Sequence, residues 1–161
     1  MTVEDNLILR DFDRQPFSRN MVLDYRQAEK RAREALDEYS IKTSGKSGIK
    51  TPVKLMSGGN QQKVILSREI SEEAGLIVAS QPTRGLDIGA TRFVHETLLR
   101  QRDAGRCVLL ISADLDEILG VSDRVAVMYE GRIIGILNRD EADVHKIGLL
   151  MGGIAKEAAD E

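Results

Sequence analysis

The stretch Leu76-Ile77-Val78-Ala79-Ser80-Gln81-Pro82 decides the fold. Four apolar residues, bounded by Gly75 before and Pro82 after, are too few for a helix and have the run expected of a buried parallel strand. Downstream, a helix is expected from about Gly89 to Arg102, with Phe93, Val94, Leu98 and Leu99 inward and Gly105 closing it. Cys107 to Ser112 reads as a second buried strand, and Asp114 with Glu117 has the spacing of a helix cap. Arg124 to Tyr129 and Arg132 to Leu137 flank Glu130-Gly131, which suits a hairpin turn. The order strand, helix, strand, short helix, hairpin predicts an α/β sheet with a hairpin at its edge.

Upstream, Tyr25, Ala28, Ala32, Ala35, Leu36 and Tyr39 recur at helical spacing, with Arg26, Lys30, Arg31, Arg33, Glu34 and Asp37 opposite. A connection rich in Ser, Gly, Lys and Thr runs from Ile41 to Pro52. A second helix is expected from about Asn60 to Ser71. The expected organisation is a helical part over 1–54, an α/β core over 55–151 and a flexible tail over 152–161.

The composition bounds the function. The chain has 161 residues, 42% of them hydrophobic, enough for one domain-sized core. Lys and Arg number 23 against 26 Asp and Glu, for a net charge of -3, so a basic nucleic-acid footprint is not expected. The one cysteine, Cys107, allows no internal disulfide and suits a reducing compartment and a buried strand position. No apolar run approaches the roughly 20 residues of a membrane span. His95 and His145 stand apart, without metal-ligand spacing. Met56, Met128 and Met151 read as packing residues.

Ser57-Gly58-Gly59-Asn60-Gln61-Gln62-Lys63 carries the chemistry. A hydroxyl and two glycines at the start of a helix bring backbone N–H groups and the positive helix end to an anion; a plain flexible cap is the alternative for Ser-Gly-Gly alone. The full heptapeptide resembles the signature motif of ATP-binding-cassette (ABC) ATPases, and its Asn60-Gln61-Gln62-Lys63 ending is similar to that of importers for simple sugars and nucleosides. Leu76 to Asp87 resembles the Walker B strand followed by the D-loop, and Leu109 to Asp114 the switch strand. Ser122 to Ile133 is similar to the closing segment, and the likeness spans about residues 55–137. It implies a partial P-loop NTPase domain, the C-terminal part of a second nucleotide-binding domain, with Walker A and the Q-loop glutamine upstream of Met1.

The departures matter as much as the matches. Ser80 and Gln81 hold the places of the family's Asp-Glu pair, so Mg²⁺ lacks an acidic ligand and the attacking water lacks a base worth roughly 10² to 10⁴ in rate. Ala113 holds the place of the switch histidine. Gly45-Lys46-Ser47 is not a Walker A loop, because Ser40 stands at its first glycine and a helix precedes it.

The resemblance implies that Ser57, Gly58, Gly59, Asn60 and Gln61 serve ATP held by the other nucleotide-binding half. Leu86 and Asp87 of the D-loop are implied to face that half too. The implied work is uptake of a sugar or nucleoside through a membrane permease, driven by ATP with Mg²⁺ in the parent assembly, at the inner face of the cell membrane. The chain alone is expected to be inactive as an ATPase and to self-associate. The alternative is a truncated stand-alone module that docks onto an intact ATPase half; a third reading is a phosphate binder using Gly45-Lys46-Ser47.

Overall fold

The structure, a computed structural model, describes residues 1–43, 45–70 and 74–154, with the side chains at 45–47 left aside. It divides into two compact units, 1–77 with 82–107, and 78–81 with 108–161.

The first unit is mainly helical. Helix α1, Val3–Leu7, starts at a capping box: the Thr2 hydroxyl accepts from Asp5 N and the Asp5 carboxylate accepts from Thr2 N. A short hairpin follows, β1 (Ser18–Arg19) with β2 (Val22–Leu23), turning through Asn20 and Met21, both at positive φ. The helical reading of this part had no place for that hairpin, because two-residue strands leave no alternating pattern.

Helix α2, Tyr25–Glu38, is capped by Asp24 and buries Ala28, Ala32 and Ala35. Tyr25, expected inward, is exposed instead, its ring facing the Lys50 ammonium 5.9 Å from the ring centre rather than the alanine row. Helix α3, Gly58–Glu69, buries Val64, Leu66 and Ser67, and Arg31 of α2 donates to Ser67 O at 2.8 Å. Helix α4, Ile88–Asp103, buries Val94, Thr97 and Leu98, while Phe93 meets Tyr39 edge to face at 6.3 Å. Small alanines on α2 admit close helix packing, and these apolar rows form the unit's core. Glu4 is buried beside them and ion-paired with Lys50.

Two parallel strands, β3 (Leu76–Ser80) and β4 (Cys107–Ile111), pair with each other. Cys107 N donates to Gly75 O at 3.0 Å and Gln81 N to Ile111 O at 2.8 Å, which sets the direction. Both strands were expected to be buried. Instead, exposure alternates along them, leaving Leu76, Val78, Leu109 and Ile111 open, and Cys107 shares that register and is exposed. Among the described residues, no third strand pairs with them.

In the second unit, helix α5 (Leu115–Val121) is capped by the Asp114 carboxylate, which accepts from Asp116 N and Glu117 N. The hairpin β5 (Arg124–Tyr129) and β6 (Arg132–Asn138) turns at Glu130-Gly131, both at positive φ as a two-residue turn requires. Helix α6, Val144–Met151, lays Ile147 and Leu150 against Val125, Val127 and Leu137. Met56 is buried as expected, but Met128 and Met151 are exposed, one on the open side of the hairpin and one at the last turn of α6. The expected tail falls mostly on 155–161, outside the described residues.

Candidate functional site

Helix α3 begins at Gly58 with Ser57 as its N-cap, and that cap is unusual in this molecule. Thr2, Asp24, Asp87, Asp114 and Asp143 each spend a side-chain oxygen on an amide of the helix they start. Ser57 does not. Its Oγ instead accepts from Asn60 Nδ2 at 2.9 Å. The first helical bond runs from Gln61 N to Ser57 O at 2.9 Å, so among the described residues the amides of Gly58, Gly59 and Asn60 have no acceptor. Ser57 and Gly58 are exposed, whereas Gly59 is buried and Asn60 and Gln61 are half-buried.

The turn has a firm base. Gln61 Nε2 donates to Met56 O at 2.9 Å. Asn60 Oδ1 accepts from Lys42 N at 2.8 Å. Lys63 donates to Ser40 O at 3.0 Å and lies 4.4 Å from the centre of the Phe93 ring. Burial, with Lys42 nearby, pushes the Lys63 ammonium below its ordinary value, against the opposing pull of Asp87.

The fold brings the Ser57–Gly59 turn together with Leu86, Asp87 and Ala90. A methyl group built on Gly59 would stand 2.7 Å from the Ala90 Cβ and 3.6 Å from Asp87 Oδ2. One built on Gly58 would meet Leu86 Cδ2 at 3.9 Å. Asp87 is exposed and caps α4, its Oδ1 accepting from Ala90 N at 2.8 Å. Ile88 beside it is 90% exposed, an apolar side chain next to the candidate site that the motif reading passed over. Its signal was an apolar residue directly after Asp87.

Ser80, Gln81 and Ala113 are described within the second unit. All three are exposed at the C-terminal ends of the parallel strands, where α/β sheets place ligand sites. Gln81 is held in the left-handed region, at φ 48°, by its bond to Ile111 O. These side chains provide no ionised oxygen, so they do not fit the acidic coordination of Mg²⁺. No cluster of three or more His, Cys, Asp or Glu suited to a metal occurs among the described residues. The donor set at Ser57–Asn60 does fit the oxygens of a phosphate. Over Gly45–Lys50 the backbone is a 3-10 turn broken at Gly48, and the side chains of Lys46 and Ser47 lie outside the described residues. No helix among the described residues is long and apolar enough to cross a membrane.

Known proteins resemble this chain in sequence and in fold. The chain is 44% identical over 157 residues to a guanosine import ATP-binding protein of Bacillus subtilis, covering 98% of this chain and 30% of that protein. It is 42% identical over 153 residues to a nucleoside import ATP-binding protein of Lactococcus lactis, again 30% of that protein. A ribose import ATP-binding protein of Clostridium perfringens is 47% identical over 122 residues, which is 24% of its length. No family model matches the chain.

Among solved structures, an ATP-binding cassette of an ABC transporter, MJ1267, superposes with a TM-score of 0.72 at 21% identity, over 96% of this chain and 62% of that one. A dimeric cassette, MJ0796, bound to ADP and Pi superposes with a TM-score of 0.67, over 86% of this chain and 57% of that one. These structures share the fold. The chain thus belongs with the ATP-binding proteins of the ABC family and spans about three tenths of the length of the sugar- and nucleoside-import proteins it matches.

Proposed function

We propose that this chain is the C-terminal part of a second nucleotide-binding domain, in an ATP-binding protein that drives uptake of a simple sugar or nucleoside. The relatives are import ATP-binding proteins along nearly the whole chain, which favours this over a stand-alone docking module. The site partner is the other nucleotide-binding half of the same transporter, and the wider partners are membrane permease subunits. The working place is the cytoplasmic face of the cell membrane, held there through the permease.

The observation that carries the reading is the unspent N-terminus of α3. An N-cap serine ordinarily consumes one amide of its own helix. Here the Ser57 hydroxyl and the Gly58 amide stay available at the exposed start of the turn, and the amides of the buried Gly59 and half-buried Asn60 behind them are likewise unspent on the helix. They match the terminal phosphate oxygens of ATP held by the other half, while Gln61 fixes the floor of the turn through Met56. As charge shifts on the transferred phosphoryl group, fixed donors stabilise it without reorganising. Leu86 and Asp87, packed under the glycines, present the same surface to that half.

Ser80, Gln81 and Ala113 belong to this half's own site and give it neither a carboxylate base nor a histidine. Gln81 orients water by hydrogen bonding but accepts no proton at neutral pH. ATP and Mg²⁺ are thus the cofactors of the parent assembly, with productive cleavage at the site that Ser57 completes.

The test is ATP turnover by the assembled transporter. S57A lowers turnover about 10²-fold, the scale of one lost transition-state donor, and Q81A leaves it within twofold. Unchanged turnover in S57A, or abolished turnover in Q81A, overturns the assignment.

A further inference from the structure

The Asn60 carboxamide holds a place between a fixed backbone donor and the Ser57 hydroxyl. Lys42 N–H has a proton and no lone pair to offer, so the Asn60 atom 2.8 Å from it is the oxygen. That fixes the amide's other end. Nδ2 must face Ser57 Oγ, 2.9 Å away, and Ser57 receives a hydrogen bond there. A hydroxyl that accepts at one lone pair from a group with no free lone pair keeps its own proton for another acceptor. The exposed side of Ser57 is where that proton is free to point.

The anchor behind Asn60 is itself hydrogen-bonded into the fold. Ile41, next to Lys42, is 6% exposed, and its N donates to Leu36 O at 2.9 Å. Lys63, one turn along α3 from Asn60, holds Ser40 O. Two side chains of α3 therefore grip the backbone at 40 and 42, and one of them passes the constraint on to Ser57.

We infer that Asn60 is a positioning residue: through Lys42 N–H and its own carboxamide it forces the Ser57 hydroxyl to donate outward, toward a phosphate oxygen. The inference rests on the proposed role of Ser57 at the other half's ATP. Asn60 acts through Ser57, and its side chain need not touch the nucleotide.

The experiment measures ATP turnover and thermal melting in the assembled transporter for S57A, N60A, N60D and the S57A/N60A pair. N60A lowers turnover about tenfold, the scale of one positioned hydrogen bond, and costs nothing further in the S57A background, because the two act as one unit. N60D keeps shape and the acceptor for Lys42 N–H, but its second oxygen draws the Ser57 proton inward. Its turnover therefore falls below that of N60A and recovers as pH drops into the carboxyl range. A purely structural asparagine gives the opposite pattern: N60D milder than N60A, and an undiminished N60A loss when Ser57 is already alanine. Either result overturns the inference while leaving the role of Ser57 standing. If S57A itself leaves turnover unchanged, the reading beneath falls and takes this inference with it.

Discussion

Gly59 and Ala90 approach so closely that a methyl group on Gly59 would lie 2.7 Å from the Ala90 Cβ. Neither is free to move, since both sit in the first turns of helices whose later turns are packed in one core. G59A therefore overpacks the α3–α4 contact and is expected to cost about 1 to 3 kcal/mol. At Gly58 the nearest atom is 3.9 Å away. G58A fits, and the better helix former leaves the melting temperature unchanged or slightly raised. On the proposed function its methyl group still stands in the path of a phosphate. Melting curves and ATP turnover on the same samples separate the two: G59A loses both, G58A turnover alone.

Asp87 supports two readings that a pair of variants distinguishes. As an N-cap it holds Ala90 N at 2.8 Å, and D87A should cost about 1 kcal/mol. D87N keeps a capping oxygen and should melt close to the parent chain. If Asp87 also faces the other half, D87N lowers turnover in the assembled transporter despite its stability. Wild-type turnover in D87N reduces the residue to a cap.

The legibility of this chain followed the length of its periodic segments. Tyr25–Glu38 and Ile88–Asp103 repeat their apolar positions often enough to be read from sequence. The helix start at Ser57-Gly58-Gly59 was legible because a hydroxyl and two glycines mark the entry to a helix. The two-residue strands at Ser18 and Val22 were too short to leave a pattern, and α6 was hidden because the sequence does not say that Ile147 and Leu150 have a hairpin to cover. Nor did it give the exposure of Cys107, which depends on which sheet face is covered rather than on its apolar neighbours. The hydrogen bond from Asn60 to Ser57 was invisible too: it needs Lys42, 18 positions from Asn60, to orient the amide.

The open face of β3 and β4 carries a prediction about association. Val78, Leu109 and Ile111 are 58%, 51% and 48% exposed, and the strand edges offer unpaired ladder groups among the described residues. Such surfaces recruit further chains. Light scattering on the 161-residue chain should show mass rising with concentration, and V78T with L109T should weaken that rise. A monomer over a hundredfold concentration range removes the expectation.

Acid stability should depend on Asp5. Its carboxylate accepts from Thr2 N at 2.8 Å, and this bond holds its pKa below the ordinary value; the Thr2 hydroxyl acts in the same direction, against partial desolvation. A carboxyl whose folded pKa is depressed contributes stability above its unfolded value and loses it as pH falls through the folded one. The contribution is thus whole at neutral pH and disappears below the ordinary carboxyl range. D5N retains an acceptor for Thr2 N but no titrating charge, so its stability should change less steeply than wild type between about pH 5 and pH 2. Urea midpoints across that interval measure the difference, and parallel curves would remove Asp5 from the acid transition. Because the group is largely solvated, screening keeps the difference small and added salt should shrink its Coulombic part. The capping geometry itself survives in salt, so T2A should destabilise α1 at both ends of the pH range.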